Sequence, residues 1–359
     1  MHKILSIVGA RPQFIKCASI SRVIRGKVKE VLVHTGQHYD VEMSKVFFDE
    51  LGIPLPDYNL EVGSGSHAEQ TATIMLRLEK VLVEEKPLLV LVYGDTNSTL
   101  AGALTAVKLQ LPVAHVEAGL RSYNKQMPEE INRVATDHIS DLLFCPTQTA
   151  VSNLEKEGII QGVYNTGDVM YDSLLHNLKL SNSRKSILQK VEVRPGEYYL
   201  VTVHRQSNTA HIENLKTIFE ALSQLDLPVV FPVHPGTRKI ITGENLFKSS
   251  RNHILLIDPV SYLEMLQLLK NAKKVLTDSG GVQKESYFMK VPCITLRDET
   301  EWVETLENGC NVLTGIDKRK IVEAVYSKNN GKYDHAIFGD GSASIKISQI
   351  IYKFIIGEP

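Results

Sequence analysis

Ten short runs of Val, Ile and Leu recur along the 359-residue chain, and they narrow the possible folds more than any other feature. They are Ile4 to Val8, Glu30 to His34, Leu88 to Tyr93, Val113 to Val116, Leu142 to Cys145, Tyr198 to Val203, Val229 to Val233, Ile254 to Ile257, Lys274 to Thr277 and Cys293 to Leu296. Within each run the apolar residues are continuous rather than alternating, the pattern of strands covered on both faces. Between the runs lie stretches with helical periodicity, such as the one holding Ile212, Leu215, Ile218, Phe219 and Leu222. Strands alternating with helices predict parallel sheets, so the class is α/β, doubly wound.

The rhythm breaks around residues 180–197, at Ser181-Asn-Ser-Arg-Lys and Val193-Arg-Pro-Gly-Glu, and restarts at Tyr198. This predicts two Rossmann-like domains, 1–180 and 181–343, each long enough to bury its own core. A last helix, about 344–357, is expected to pack back on the first domain. Two such domains would turn the carboxyl ends of their sheets toward a shared cleft, the usual place for a ligand.

A net charge of −1 excludes the broad cationic surface that nucleic-acid and polybasic membrane binders need. No apolar run approaches the length of a membrane span. Cys17, Cys145, Cys293 and Cys310 are far apart and each lies in or beside an apolar segment. Buried, reduced thiols of a cytoplasmic protein are expected. The opening Met-His-Lys-Ile-Leu-Ser-Ile-Val lacks a secretory h-region and supports the same reading.

Residues just after the predicted strands are unusually polar. Asp278-Ser-Gly-Gly281 joins a strand to a helix, where bare glycine amides and the helix N-terminus can cradle an anion; the competing reading is a well-capped helix. Gly9-Ala-Arg11-Pro, with Lys16 one turn on, is a second turn of this kind, and neither is a G-x-G-x-x-G fingerprint for a dinucleotide. Asp95 and Glu117 follow what should be neighbouring strands, an arrangement that prepares acid/base chemistry. The alternatives there are an N-cap for Asp95 and a salt bridge from Glu117 to Arg121. Pro128 starts a helix in which Ile131, Val134 and Ala135 would face inward, with Glu129 and Arg133 on the opposite side. His204-Arg205 and His234 end two strands of the second half. His34 and His38 are separated by a glycine that spoils the helical i, i+4 geometry of a metal pair, so no metal is expected.

Taken together, these motifs resemble the non-hydrolysing UDP-N-acetylglucosamine 2-epimerases. The matching pieces are Gly9-Ala-Arg-Pro with Lys16, His34-Thr-Gly-Gln-His, Tyr93-Gly-Asp-Thr, His115-Val-Glu-Ala-Gly-Leu-Arg, Pro128-Glu-Glu-x-Asn-Arg, Thr202-Val-His-Arg, Thr277-Asp-Ser-Gly-Gly-x-Gln-x-Glu and Arg297-Asp-x-Thr-Glu301. Each is weak alone, whereas the ordered set is specific.

The resemblance implies two Rossmann-like domains of the glycosyltransferase-B type, a homodimer, and a UDP-sugar interconverted at C2 without NAD, metal or other cofactor. It implies catalytic roles for Asp95, Glu117, Glu129 and His204, and UDP-sugar contacts from Arg11, Lys16, Arg133, Arg205, His234, Ser279, Gly280, Gly281 and Glu285. Gln37 and His38 resemble a region where some bacterial members bind a second UDP-sugar. One departure stands beside the site: many bacterial members continue Thr-Glu-Arg-Pro-Glu, whereas this chain reads Thr300-Glu-Trp302-Val303-Glu304. A glycosyltransferase on the same fold, or an epimerase that hydrolyses its product to UDP and free sugar, would share most of these features.

Overall fold

All ten apolar runs form strands in the computed structural model, which describes residues 2–37, 52, 55–183, 185–209, 211–233, 235–243, 253–328 and 331–358. Among them every strand pairing is parallel. The chain divides into two units, Met1–His176 with His335–Pro359, and Asn177–Asp334.

In the first unit the strands are β1 (Lys3–Val8), β2 (Lys29–His34), β3 (Tyr58–Asn59), β4 (Leu89–Tyr93), β5 (Val113–Val116), β6 (Leu142–Cys145) and β7 (Val163–Asn165), in the spatial order β3-β2-β1-β4-β5-β6-β7. The second unit holds β8 (Tyr199–Thr202), β9 (Val229–Pro232), β10 (Ile254–Ile257), β11 (Lys274–Thr277), β12 (Cys293–Thr295) and β13 (Asn311–Leu313), in the order β10-β9-β8-β11-β12-β13. Chain direction across the sheet reverses between β1 and β4, and again between β8 and β11. These are the topological switch points, where doubly wound sheets open a crevice at the strand ends.

Continuous apolar runs arise because each sheet is covered on both faces. Tyr199, Val201, Phe231 and Leu276 enter a core on one face of the second sheet, while Leu200, Val230 and Val275 enter a core on the other. Period-two alternation therefore sorts apolar residues between two cores, not between core and solvent. The three strands that sequence patterning missed, β3, β7 and β13, are two- or three-residue edge strands. Too few of their residues are buried to leave a pattern.

The closing helix Ala343–Ile356 packs on helix Arg11–Ile24 of the first unit. Its N-terminus is capped from a distance: the Asp172 carboxylate accepts from Ala343 N–H at 3.2 Å, Ser344 N–H at 2.7 Å and Ser344 Oγ at 2.6 Å. Negative charge at that end also suits the helix dipole.

Helix Pro128–Ile139 reverses the expected orientation. Ile131 is 54% exposed, whereas Arg133 is 2% exposed and Asn132, Thr136 and Asp137 are buried with it. The buried face is polar because it packs on the ends of β4 and β5, where those groups find partners.

Candidate active site

Three loops of the first unit converge at the β1/β4 switch point and its neighbour β5. At the end of β1, Gly9 fits because a Cβ there would collide with the hydroxyls of Ser98 and Thr35. Two amides of this turn already have an acceptor within the protein. Gly9 N–H and Ala10 N–H both donate to Gln13 Oε1, at 2.7 and 3.0 Å, and Gln13 Nε2 donates in turn to the Tyr93 carbonyl at 2.7 Å. Gln13 thus ties the ends of β1 and β4 together. The Lys16 ammonium, expected beside a phosphate, forms a buried ion pair with Glu117.

Glu117 follows β5 with φ at +74°, a left-handed conformation that costs a non-glycine residue roughly 1–2 kcal/mol. Its N–H and that of Ala118 both donate to the Phe144 carbonyl, at 3.0 and 3.1 Å, which holds the turn in place. Strain kept in this way at a buried carboxylate is a mark of functional sites. Asp95 follows β4 and is not a helix cap, since Thr96 occupies that position. Its Oδ2 lies 2.6 Å from Arg133 Nη2, and its backbone carbonyl accepts from Asn132 Nδ2 at 2.9 Å. Arg133 Nη1 also reaches Glu130 Oε2 at 2.9 Å, and Glu130 accepts from the backbone of Ser122 and Tyr123. Glu129, by contrast, is half-buried with no hydrogen-bond or ionic partner among the described residues.

In the second unit, Asp278 organises the β8/β11 switch point. Its wholly buried carboxylate accepts from His204 N–H at 3.1 Å, Arg205 N–H at 3.0 Å and Asn208 Nδ2 at 3.0 Å. The half-exposed His204 ring lies 3.3 Å from Asp278 through Nδ1. Ser279 is the N-cap of helix Gly280–Phe288, accepting from Val282 N–H at 3.5 Å.

The two glycines of this turn differ. A Cβ at Gly280 would collide with Glu301 Oε1 and lie 3.3 Å from Trp302 Nε1, so any larger residue there must displace the buried Glu301 carboxylate. A Cβ at Gly281 would meet nothing closer than Ser279 Oγ at 3.8 Å. Nothing inside the fold demands the bare backbone of Gly281, which leaves an open cradle at a helix N-terminus. Glu285 is buried and its Oε1 accepts from Tyr262 Oη at 2.8 Å. Trp302, which stands where many bacterial members have an arginine, is buried, and its ring receives Lys284 Nζ 3.9 Å from the centroid, a desolvated cation–π contact.

Gln37 Oε1 accepts from Ser98 N–H and Oγ at 3.1 and 2.6 Å, so this side chain binds a helix start of its own chain. His38, His234 and the Arg11 side chain lie outside the described residues.

The first unit sets Asp95 and Glu117, each paired with a buried cation, at adjacent strand ends; the second sets a glycine turn at the switch point that also carries His204 and Arg205. Residues 23–352 match the family model described as UDP-N-acetylglucosamine 2-epimerase. The chain belongs to the UDP-N-acetylglucosamine 2-epimerase family. It is 55% identical to a UDP-N-acetylglucosamine 2-epimerase homolog from Methanococcus maripaludis, over 97% of this chain and 99% of the relative. It is 47% identical to the UDP-2,3-diacetamido-2,3-dideoxy-D-glucuronate 2-epimerase of Pseudomonas aeruginosa, over 98% and 99%. The crystal structure of Methanocaldococcus jannaschii UDP-GlcNAc 2-epimerase in complex with UDP-GlcNAc and UDP superposes with a TM-score of 0.89 at 45% identity, covering 97% of this chain and 99% of that one. No helix among the described residues is long and apolar enough to cross a membrane.

Within this epimerase-family fold, sequence reading overlooked Gln13, Glu130, Asn132, Asp137 and Tyr262. The signal for three of them was present between Glu130 and Asp137, where Glu130, Arg133 and Asp137 recur at the spacing of one helix face with Asn132 and Thr136 beside them. Gln13 and Tyr262 left none, because the Tyr93 carbonyl that Gln13 Nε2 reaches and the Glu285 carboxylate that Tyr262 reaches lie far along the chain.

Proposed function

We propose that this chain interconverts UDP-N-acetylglucosamine and UDP-N-acetylmannosamine by eliminating UDP and adding it back. The bond from C1 to the UDP oxygen breaks, C2 loses its proton to a base, and a glycal with UDP results. Protonation of C2 on the opposite face and return of UDP to C1 give the epimer. The observation that carries the proposal is the placement of Asp95 and Glu117 at neighbouring strand ends, each paired with a buried cation. Glu129, in different surroundings, completes a set of carboxylates able to take a proton on one face and return it on the other.

His204, Arg205, Ser279, Gly280, Gly281 and Glu285 are assigned to the UDP half, together with Arg11 and His234. Preset donors and positive charge there stabilise the departing diphosphate and keep it for the return step. Lys16 and Arg133 act on the carboxylates Glu117 and Asp95 rather than on phosphate. Two functional domains follow from this division, 1–180 with the closing helix and 181–343.

The deciding experiment incubates UDP-N-acetylglucosamine with the protein in heavy water and follows the products by NMR. Deuterium at C2 of both UDP-sugars supports the proposal; free N-acetylmannosamine as main product assigns hydrolysis, and no exchange without an acceptor overturns it. Since the relative acting on a diacetamido uronate is 47% identical, UDP-2,3-diacetamido-2,3-dideoxy-D-glucuronate is the second substrate to assay.

The protein is assigned to the cytoplasm, where its four free, buried cysteines stay reduced. We assign it as a homodimer, a reading supported by the exposed apolar residues Leu76 and Val83 of helix His67–Glu85 and by Ile131, which lines a groove with Met75 and Leu100. Light scattering reads the state directly, and Ile131→Glu should shift it to monomer.

A further inference from the structure

His115 is the third residue of β5 and is wholly buried. Its Nε2 lies 2.7 Å from the Gly94 carbonyl oxygen and its Nδ1 lies 2.7 Å from Asp137 Oδ1. A carbonyl oxygen only accepts, so Nε2 carries a hydrogen. The second oxygen of Asp137 also faces donors, Gly119 N–H at 3.1 Å and Arg121 Nη1 at 2.7 Å. Burial alone would push the Asp137 carboxyl up. The hydrogen bonds from His115 and Arg121 hold this group below the ordinary carboxylate value nonetheless. With the Arg121 guanidinium on Oδ2 the carboxylate is an anion, so His115 Nδ1 donates to Oδ1.

Charge balance leads to the same protonation state. Arg121 makes a bidentate pair with Glu157, Nε to Oε1 and Nη2 to Oε2, both at 2.7 Å. The same guanidinium reaches Asp137, so one cation serves two carboxylates, of which Asp137 is the wholly buried one. With a ring that did not donate from Nδ1, Asp137 Oδ1 would lose its partner in the protein interior, a costly state.

The carbonyl gripped by this ring belongs to the residue before Asp95. A Cβ on Gly94 would stand 3.2 Å from Lys16 Nζ and 3.4 Å from Glu117 Oε2, so the peptide lies beside the buried ion pair as well. We propose that His115 is a positioning residue for the reaction: as an imidazolium it holds the Gly94 carbonyl and sets the Gly94-Asp95 turn against the Lys16–Glu117 pair. It touches neither sugar nor diphosphate. Its charge and geometry act through Asp95, and the role rests on the assignment of Asp95 and Glu117 as reacting carboxylates.

The first test needs no activity. In nitrogen-15 NMR of the histidine-labelled full chain at neutral pH, both His115 ring nitrogens should show bound protons, with the assignment made by loss of the signals in His115→Gln. A ring nitrogen without a proton overturns the proposal.

The second test separates positioning from binding. His115→Gln can donate to only one of the two acceptors, and it should lower kcat for epimerisation on the order of tenfold or more while KM and UDP affinity stay within about twofold. An equal loss in UDP affinity, or an unchanged kcat, also overturns it. If the glutamine variant does not fold, the ring-proton measurement on the natural chain decides alone. If the natural chain shows no C2 exchange, the assigned reaction fails, while the ring protonation stands or falls on its own spectrum.

Discussion

Arg133 Nη2 stands 2.6 Å from Asp95 Oδ2, joining a helix whose polar side faces inward to the loop after β4. The same guanidinium reaches Glu130, so one buried cation serves two carboxylates. Replacing it with Arg133→Gln removes the charge from both. Epimerisation should fall about 10- to 100-fold, the scale of a lost charge-assisted hydrogen bond. Stability should drop by about 3 kcal/mol because two carboxylates lose their shared cation. Arg133→Lys, which keeps the charge but not the fork, should recover stability more than rate; urea unfolding and C2 deuterium exchange read the two separately.

Gly280 and Gly281 are adjacent yet should respond differently to alanine. Gly280→Ala drives a methyl into Glu301 and toward Trp302, so the fold should lose stability. Gly281→Ala meets open space, and its melting temperature should hardly change. If UDP phosphate approaches this turn, Gly281→Ala should nonetheless weaken UDP binding by at least about tenfold in titration calorimetry. Unchanged affinity would remove the turn from the UDP site.

Asp278 accepts from the His204 and Arg205 amides with both oxygens committed. Asp278→Asn sets an amide NH2 against one of these donors, a mismatch worth about 1–3 kcal/mol. The His204-Arg205 turn should loosen, with weaker UDP binding as the consequence. An affinity equal to that of the natural chain would show that the turn keeps its shape without the carboxylate.

Alkaline conditions should destabilise the protein through its buried thiols. Burial pushes Cys17 and Cys293 up to about 12 from the ordinary 9.0. The folded state therefore keeps protons that the unfolded chain releases, so this stabilisation is complete below pH 9.0 and lost as pH rises toward 12. Melting temperatures should fall steadily above pH 9.0, and Cys17→Ala should make the decline shallower. The same thiols should resist a thiol reagent until the protein unfolds.

The α/β class, ten of the strands and the family are written in the sequence itself, because buried parallel strands need local runs of apolar residues and the family motifs sit in fixed order after them. Edge strands such as β3 and β7 were not legible, since so little of each is buried. The pairing of the polar residues was not legible either. Lys16 and Arg133 were expected to contact the UDP-sugar, but their protein partners were not legible: the fold pairs Lys16 with Glu117, 101 positions along the chain, and Arg133 with Asp95 and Glu130. A buried charge takes the partner that strand order brings to it. Apolar patterning ranks helix faces by hydrophobicity alone, so it points the wrong way wherever such a partner exists.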